Sequence, residues 1–210
     1  MQFGKLLTLA GELPVFETGL LLAGDVDPDD VRRQLSRWTR AGKVRQLRRG
    51  LYTLAPPYQK VPPHPFLIAN AMVPGSYVSG GSALAFHGLI PEYVPEVLSV
   101  TTSRPMRRGD FRFRHIASHL YFGYQGVDLP QGQRAFIATP EKAILDLAHL
   151  TPEADSPEYL DQLRLQNLER LDLQRLSEFA GRSGKPKLQR VAAYITRLAR
   201  REAVEYEELK

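Results

Sequence analysis

Apolar residues change their spacing twice between Met1 and Leu54, and each change marks an element. Phe3 to Ala10 has helical composition and stops at Gly11 to Pro14; Phe16 to Leu22 reads as a second short helix, closed near Gly24. Asp27-Pro28-Asp29-Asp30 is a strong helix start. Asp27 can accept from orphan backbone N–H groups, Pro28 suits the first helical position, and two carboxylates face the positive end of the dipole. Val31, Leu35, Trp38 and Ala41 then recur at helical spacing as a buried stripe, which makes Trp38 a core residue rather than a base-stacking one. Gly42 is placed to close that helix in a left-handed cap. After Lys43 the period becomes that of strands: Val44 to Leu47 and Leu51 to Leu54 flank Arg48-Arg49-Gly50, a hairpin signal. Three helices followed by a hairpin predict a winged helix-turn-helix over residues 1–55.

Residues 55–65 hold five prolines, which exclude helix interior and central strand, so 56–65 is expected to be a stiff linker and domain boundary. Residues 66–210 read as a mixed α/β domain with a helical end, and the whole chain as α+β. Phe66 to Val73 is helical, Tyr77-Val78-Ser79 strand-like, and Gly80 to Gly88 a short helix. Strands are expected at Val97 to Thr102 and near Phe111 to Ile116, Leu120 to Tyr124 and Arg134 to Ala138. Thr139-Pro140-Glu141-Lys142 opens another capped helix, and from Pro157 the composition stays helical. A break at Gly181 to Gly184 precedes a last amphipathic helix, Leu188 to Arg201, and an acidic tail, Glu202 to Lys210.

Charge sharpens the first of these readings. Pro28 to Leu54 carries eight cationic side chains against two aspartates, six net positive charges where the whole chain has +5, so the remainder sums to about −1. The 210 residues contain no cysteine, which excludes disulfides and thiolate metal sites and suits a reducing compartment. Leu20 to Ala23 is too short an apolar run to span a bilayer. The N-terminus lacks the apolar core of a signal peptide. The expectation is a cytoplasmic protein with no membrane association.

Binding to double-stranded DNA draws affinity from phosphate neutralisation and sequence information from side chains at base edges. A helix that buries one face and presents arginines on another meets both needs. Arg33, Arg37 and Arg40, flanked by Arg32 and Ser36, are the candidates for reading bases. Lys43, Arg45, Arg48 and Arg49 on the hairpin suit neighbouring phosphates or the minor groove. The competing reading of such a run is a solvated helix face. A nucleotidyltransferase would need paired carboxylates on the strand after Gly81-Ser82, and Leu98-Ser99-Val100-Thr101-Thr102 has none. His115 and His119, four apart in a strand or loop region, lack carboxylate partners and read as ordinary polar residues. His87 reads as a packing residue at a helix end. No catalytic constellation, metal site or cofactor site emerges, and a non-enzymatic protein is expected. Arg104, Arg107, Arg108, Arg112 and Arg114 form a second basic cluster, open to three readings: DNA contact, action on a partner, or a solvated loop.

Three segments carry a family resemblance. Arg48 to Leu54 is similar to the wing of AbiEi-type antitoxins of type IV toxin–antitoxin systems. Tyr77 to Leu89, with its Ser82-Ala83-Leu84 and His87-Gly88-Leu89, resembles a second segment of that family, and Thr139 to Leu147 its threonine-proline-glutamate-lysine helix. The matches fall in the expected order over most of the chain. The resemblance implies an N-terminal winged helix that represses its own operon by binding inverted repeats. It also implies a C-terminal domain that counteracts an AbiEii-type nucleotidyltransferase toxin, typically without a stable complex. A solitary regulator of the same superfamily, without a toxin partner, is the alternative. Glu141, Lys142 and Asp146 are read first as structural residues that cap and flank their helix.

Overall fold

The computed structural model describes residues 1–23, 26–92 and 94–208, and the chain divides into two compact units. The first is Met1–Pro74 with Asp128–Ala135; the second is Gly75–Val127 with Phe136–Lys210. The chain is mixed α+β with a helical C-terminus, and among the described residues no helix is long and apolar enough to cross a membrane.

The first unit runs α1 (Phe3–Ala10), β1 (Phe16–Glu17), α2 (Thr18–Leu21), α3 (Pro28–Arg40), β2 (Val44–Arg48), β3 (Leu51–Leu54) and α4 (Pro65–Met72). Among the described residues its strands form a three-stranded sheet in the order β1-β3-β2, with both pairings antiparallel. The short helix expected over Phe16 to Leu22 is therefore two elements. Phe16 pairs with Tyr52 and stacks its ring on it at 5.8 Å, so that aromatic is worth more on the sheet than in a helix too short to hold itself. The helix stop placed at Gly24 lies outside the described residues. Val31, Leu35 and Trp38 of α3 close over this sheet with Leu6 and Ala10 of α1, and Gly42 takes φ +68 beyond the helix end.

The stretch expected to be a linker is packed instead. Tyr58 meets Phe3 edge-on at 4.9 Å, and the Gln59 amide donates to Thr53 Oγ1 and the Leu54 carbonyl. Gln133 accepts from His64 N at 2.7 Å and donates to the Pro62 carbonyl at 2.9 Å. Prolines remove donors but leave carbonyls and rings, and these side chains use them. The boundary accordingly falls after Pro74, not at 56–65.

The second unit is built on β4 (Ser76–Val78), α5 (Gly80–Phe86), β5 (Val97–Thr101), β6 (Met106–Arg108), β7 (Phe111–His115), most of β8 (Tyr124–Leu129), the end of β9 (Gln133–Ala138), α6 (Pro140–Leu150), α7 (Pro157–Gln162), α8 (Leu173–Arg182) and α9 (Pro186–Glu208). The residues of β8 and β9 within Asp128–Ala135 belong to the first unit. Among the described residues the sheet order is β6-β7-β5-β4-β9-β8, parallel at β5–β7 and β4–β9. Strand β6 has no apolar alternation and is exposed throughout; pairing with β7 alone makes it a strand. The strand expected over Leu120 to Tyr124 begins only at Tyr124. Gly123 sits at φ +74, where an added Cβ would lie 2.8 Å from the Phe179 ring, and breaks the extended run. The acidic tail expected from Glu202 continues α9 to Glu208; Leu209 and Lys210 lie outside the described residues.

A buried ion pair organises this unit. Lys142 and Asp146, one turn apart on α6, pair directly, with side chains 3% and 2% exposed. Asp146 Oδ2 also accepts from Tyr77 Oη at 3.0 Å and Ser79 Oγ at 2.7 Å, which ties α6 to β4 and the start of α5. Burial, and then the Asp146 charge, hold the Tyr77 hydroxyl far above the ordinary tyrosine range. Glu141 accepts from Asp172 N at 3.0 Å and so fastens the entry to α8. Removing one partner of a buried pair leaves an uncompensated charge. Asp146→Asn and Lys142→Met are each expected to cost about 3–5 kcal/mol of stability in urea unfolding. The double variant Lys142→Met with Asp146→Leu should recover part of that loss.

Candidate nucleic-acid interface

Helix α3 is set by its first residues. Asp27 Oδ1 accepts from Asp29 N at 2.9 Å, and Pro28 occupies the first turn, so the helix starts at a defined point and its faces are assigned. With Val31, Leu35 and Trp38 buried, Arg32, Arg33, Ser36, Arg37 and Arg40 are all exposed. Positions four apart stack along a helix. Arg32, Ser36 and Arg40 form one row, and Arg33 with Arg37 form the next.

The two rows differ in their partners. Arg32 pairs with Asp29 at 2.7 Å, both about 70% exposed, and Arg33 lies 3.6 Å from Asp27 and 3.8 Å from Asp30. Exposed pairs of this kind are worth at most about 1 kcal/mol, so a polyanion can take either arginine over. Arg37 and Arg40 have no ion pair among the described residues.

The hairpin divides its cations more sharply. Arg45 and Arg49 are exposed. Lys43 is half-buried, with its ammonium 4.7 Å from the centre of the Phe3 ring. Arg48 is turned inward: Nε and Nη2 donate to the Ala71 carbonyl at 3.3 and 3.2 Å, Nη2 meets Glu17 Oε1 at 2.9 Å, and Nη1 reaches the Arg49 carbonyl at 3.0 Å. This guanidinium fastens the turn to β1 and α4, and it is not presented to a ligand.

Between α3 and the sheet lies an open cleft of about 330 Å³, lined by Arg32, Leu35, Ser36, Thr39 and Arg40 of α3 with Thr18, Gln46 and Tyr52. The last three escaped sequence reasoning. Thr18 reaches the cleft only because β1 pairs with β3 and its N–H bonds the Gly50 carbonyl at 2.8 Å. No local pattern announces such a residue.

The second basic cluster is largely consumed within its own unit. Arg107 and Arg112 both pair with Glu96, at 2.9 and 2.8 Å. Arg114 donates to the Leu150 carbonyl at the end of α6, where a cation offsets the helix dipole. Arg104 and Arg108 remain exposed without an ion pair among the described residues. The residues considered for enzymatic chemistry also have local bonds. Ser82 Oγ donates to the Glu96 carbonyl at 3.0 Å and accepts from Leu98 N at 2.9 Å. A ring nitrogen of His87 lies 2.8 Å from the Ala138 carbonyl, and one of His115 lies 3.2 Å from the Ser103 carbonyl; His119 is exposed in a 3-10 turn.

No family model matches the chain, and no curated protein matches it. Among solved structures, the crystal structure of the Rv2827c protein from Mycobacterium tuberculosis is similar in fold, with a TM-score of 0.56 and 17% sequence identity. The match covers 93% of this chain and 76% of that one.

Arg48 and Arg37 should separate in their effects on stability. Arg48→Met strands the Ala71 carbonyl and Glu17, and is expected to lower the unfolding free energy by about 1.5–3 kcal/mol. Arg37→Ala, on an exposed face, should stay within about 0.5 kcal/mol in the same thermal and urea melts.

Proposed function

We propose that the first unit is a winged helix-turn-helix that binds double-stranded DNA, with α3 as the recognition helix and the β2–β3 hairpin as the wing. The observation that carries this reading is α3 itself, capped and held by a buried apolar stripe while it turns four arginines and a serine outward. The β1-β3-β2 sheet behind it supports the winged form, since it sets the hairpin beside the third helix. In the helix-turn-helix mode the second helix of the motif enters the major groove, where arginine bonds guanine bidentately.

The wider role is a transcriptional repressor of its own operon that also serves as the antitoxin of a type IV pair, opposing an AbiEii-type nucleotidyltransferase toxin. That half rests on the resemblance of Tyr77 to Leu89 and Thr139 to Leu147 to the AbiEi-type antitoxins. The role is one of binding, not catalysis. Ser82 spends its hydroxyl on two backbone groups, and Glu141 and Asp146 are spent on the fold.

Selection from a random duplex pool supplies the target, and gel shifts against that duplex and a scrambled one supply the readout. Arg33→Ala and Arg37→Ala are each expected to cost about 1–3 kcal/mol on the selected duplex and to relax its sequence preference. Unchanged affinity in the double variant sinks the recognition-helix assignment. In co-expression with a nucleotidyltransferase-like toxin from an adjacent reading frame, the same double variant should still restore growth. Failure of the unsubstituted chain to do so leaves a regulator without an antitoxin role.

A further inference from the structure

The cleft between α3 and the sheet contains more chemistry than a gap between two elements needs. Its lining holds two guanidinium groups, three aliphatic hydroxyls, an amide and a phenol, and no carboxylate. Not all of these can donate into it. The Thr39 hydroxyl donates to the Leu35 carbonyl at 2.8 Å, and that of Thr18 to Gly50 at 3.4 Å, so both offer oxygen lone pairs only. Gln46 Nε2 donates to Tyr52 Oη at 3.0 Å, which occupies a lone pair of the phenol and leaves its O–H to donate. Arg40, Ser36, the Tyr52 O–H and the second Gln46 N–H are therefore the donors at hand, with Arg32 shared with Asp29. Several neutral donors around one or two guanidinium groups are the chemistry of a phosphate oxyanion.

The place of the cleft identifies the source of that phosphate. A helix in the major groove and a wing in the adjacent minor groove lie on opposite sides of one sugar–phosphate strand. That strand has to pass between α3 and the hairpin, and the cleft lies there, with Ser36 and Arg40 on one wall and Gln46 and Tyr52 on the other.

We infer that this cleft seats one backbone phosphate of the bound DNA, with Arg40 as its principal charge and Ser36, Gln46 and Tyr52 as its hydrogen-bond donors. The inference rests on the DNA-binding reading above and divides its recognition helix into two functions. Arg33 and Arg37 read base edges. The row of Arg32, Ser36 and Arg40 sets the register of the helix on the backbone and carries no sequence information. Arg40 thereby leaves the group of base readers in which its spacing on the helix had put it.

The test uses the full chain with Arg40→Gln and Gln46→Ala, both at exposed positions, and the selected duplex beside the scrambled one. Arg40→Gln is expected to weaken binding to both duplexes alike, by about eightfold at 0.1 M salt, and to lower the slope of log affinity against log salt by about 0.9. Gln46→Ala should weaken both alike without changing the slope. A series of duplexes with one neutral methylphosphonate at each position locates the contact. The unsubstituted protein should lose affinity at a phosphate flanking the major groove, and Arg40→Gln should be insensitive to that same replacement. An unchanged salt slope with an altered base preference would overturn the inference and return Arg40 to base reading. The two readings fail separately. Loss of binding in Arg33→Ala with Arg37→Ala, but none in Arg40→Gln, removes the phosphate seat alone. Unaffected binding in all of them removes α3 as the interface together with the seat, and no binding of the unsubstituted chain to any duplex removes DNA binding itself.

Discussion

The pairing of a two-residue strand with the hairpin holds the proposed interface together. Phe16 lies opposite Tyr52 in register and stacks on its ring, and Glu17 lies opposite Leu51. That short contact ends the loop after α1 and starts α2 at Thr18, whose N–H and hydroxyl then meet Gly50 at the hairpin turn. The stacked ring also holds Tyr52 with its hydroxyl toward Gln46 and the cleft. Arg48 acts from the same place, bridging Glu17 of β1 and the Ala71 carbonyl beside the hairpin turn. A hairpin by itself is marginal in water, and this one gains a third strand, a helix and an internal guanidinium.

The second unit depends on a different kind of constraint. Asp146 is a buried carboxylate with three donors, Lys142, Tyr77 and Ser79, drawn from α6, β4 and the entry to α5. Glu141 next to this pair reaches α8 through the Asp172 backbone. The charged side chains at the start of α6 are thus spent on the fold. The basic run from Arg104 to Arg114 gives the same lesson on the surface, where Glu96 and the end of α6 take up three of its five guanidinium groups. Counting charges along a sequence overstates what a surface offers to a partner.

Much of the first unit was legible because its signals are local. The Asp27 cap, the Val31-Leu35-Trp38 stripe, the left-handed Gly42 and the glycine turn at Gly50 each act within a few residues, and each stands where its local chemistry requires. The capped helix at Pro140 was legible for the same reason. What escaped was everything that needs a remote partner. Strand β1 exists because β3 is there, β6 because β7 is there, and the proline-rich stretch packs because Phe3, Thr53 and Gln133 supply its contacts.

The arginine face of α3 shows where that division falls. Sequence alone determined that these arginines lie on a helix, that the helix buries its other side, and that the positive charge of the chain is concentrated in this helix and the hairpin after it. Helical periodicity and capping are properties of neighbours in the chain, so they can be read from the chain. Only the tertiary structure decided which cations are free and what faces them. It turned Arg48 inward, set Lys43 over Phe3, and drew Thr18, Gln46 and Tyr52 to the row of Arg32, Ser36 and Arg40. Those partners come from other strands and turns, and their distance along the chain bears no relation to their distance in space.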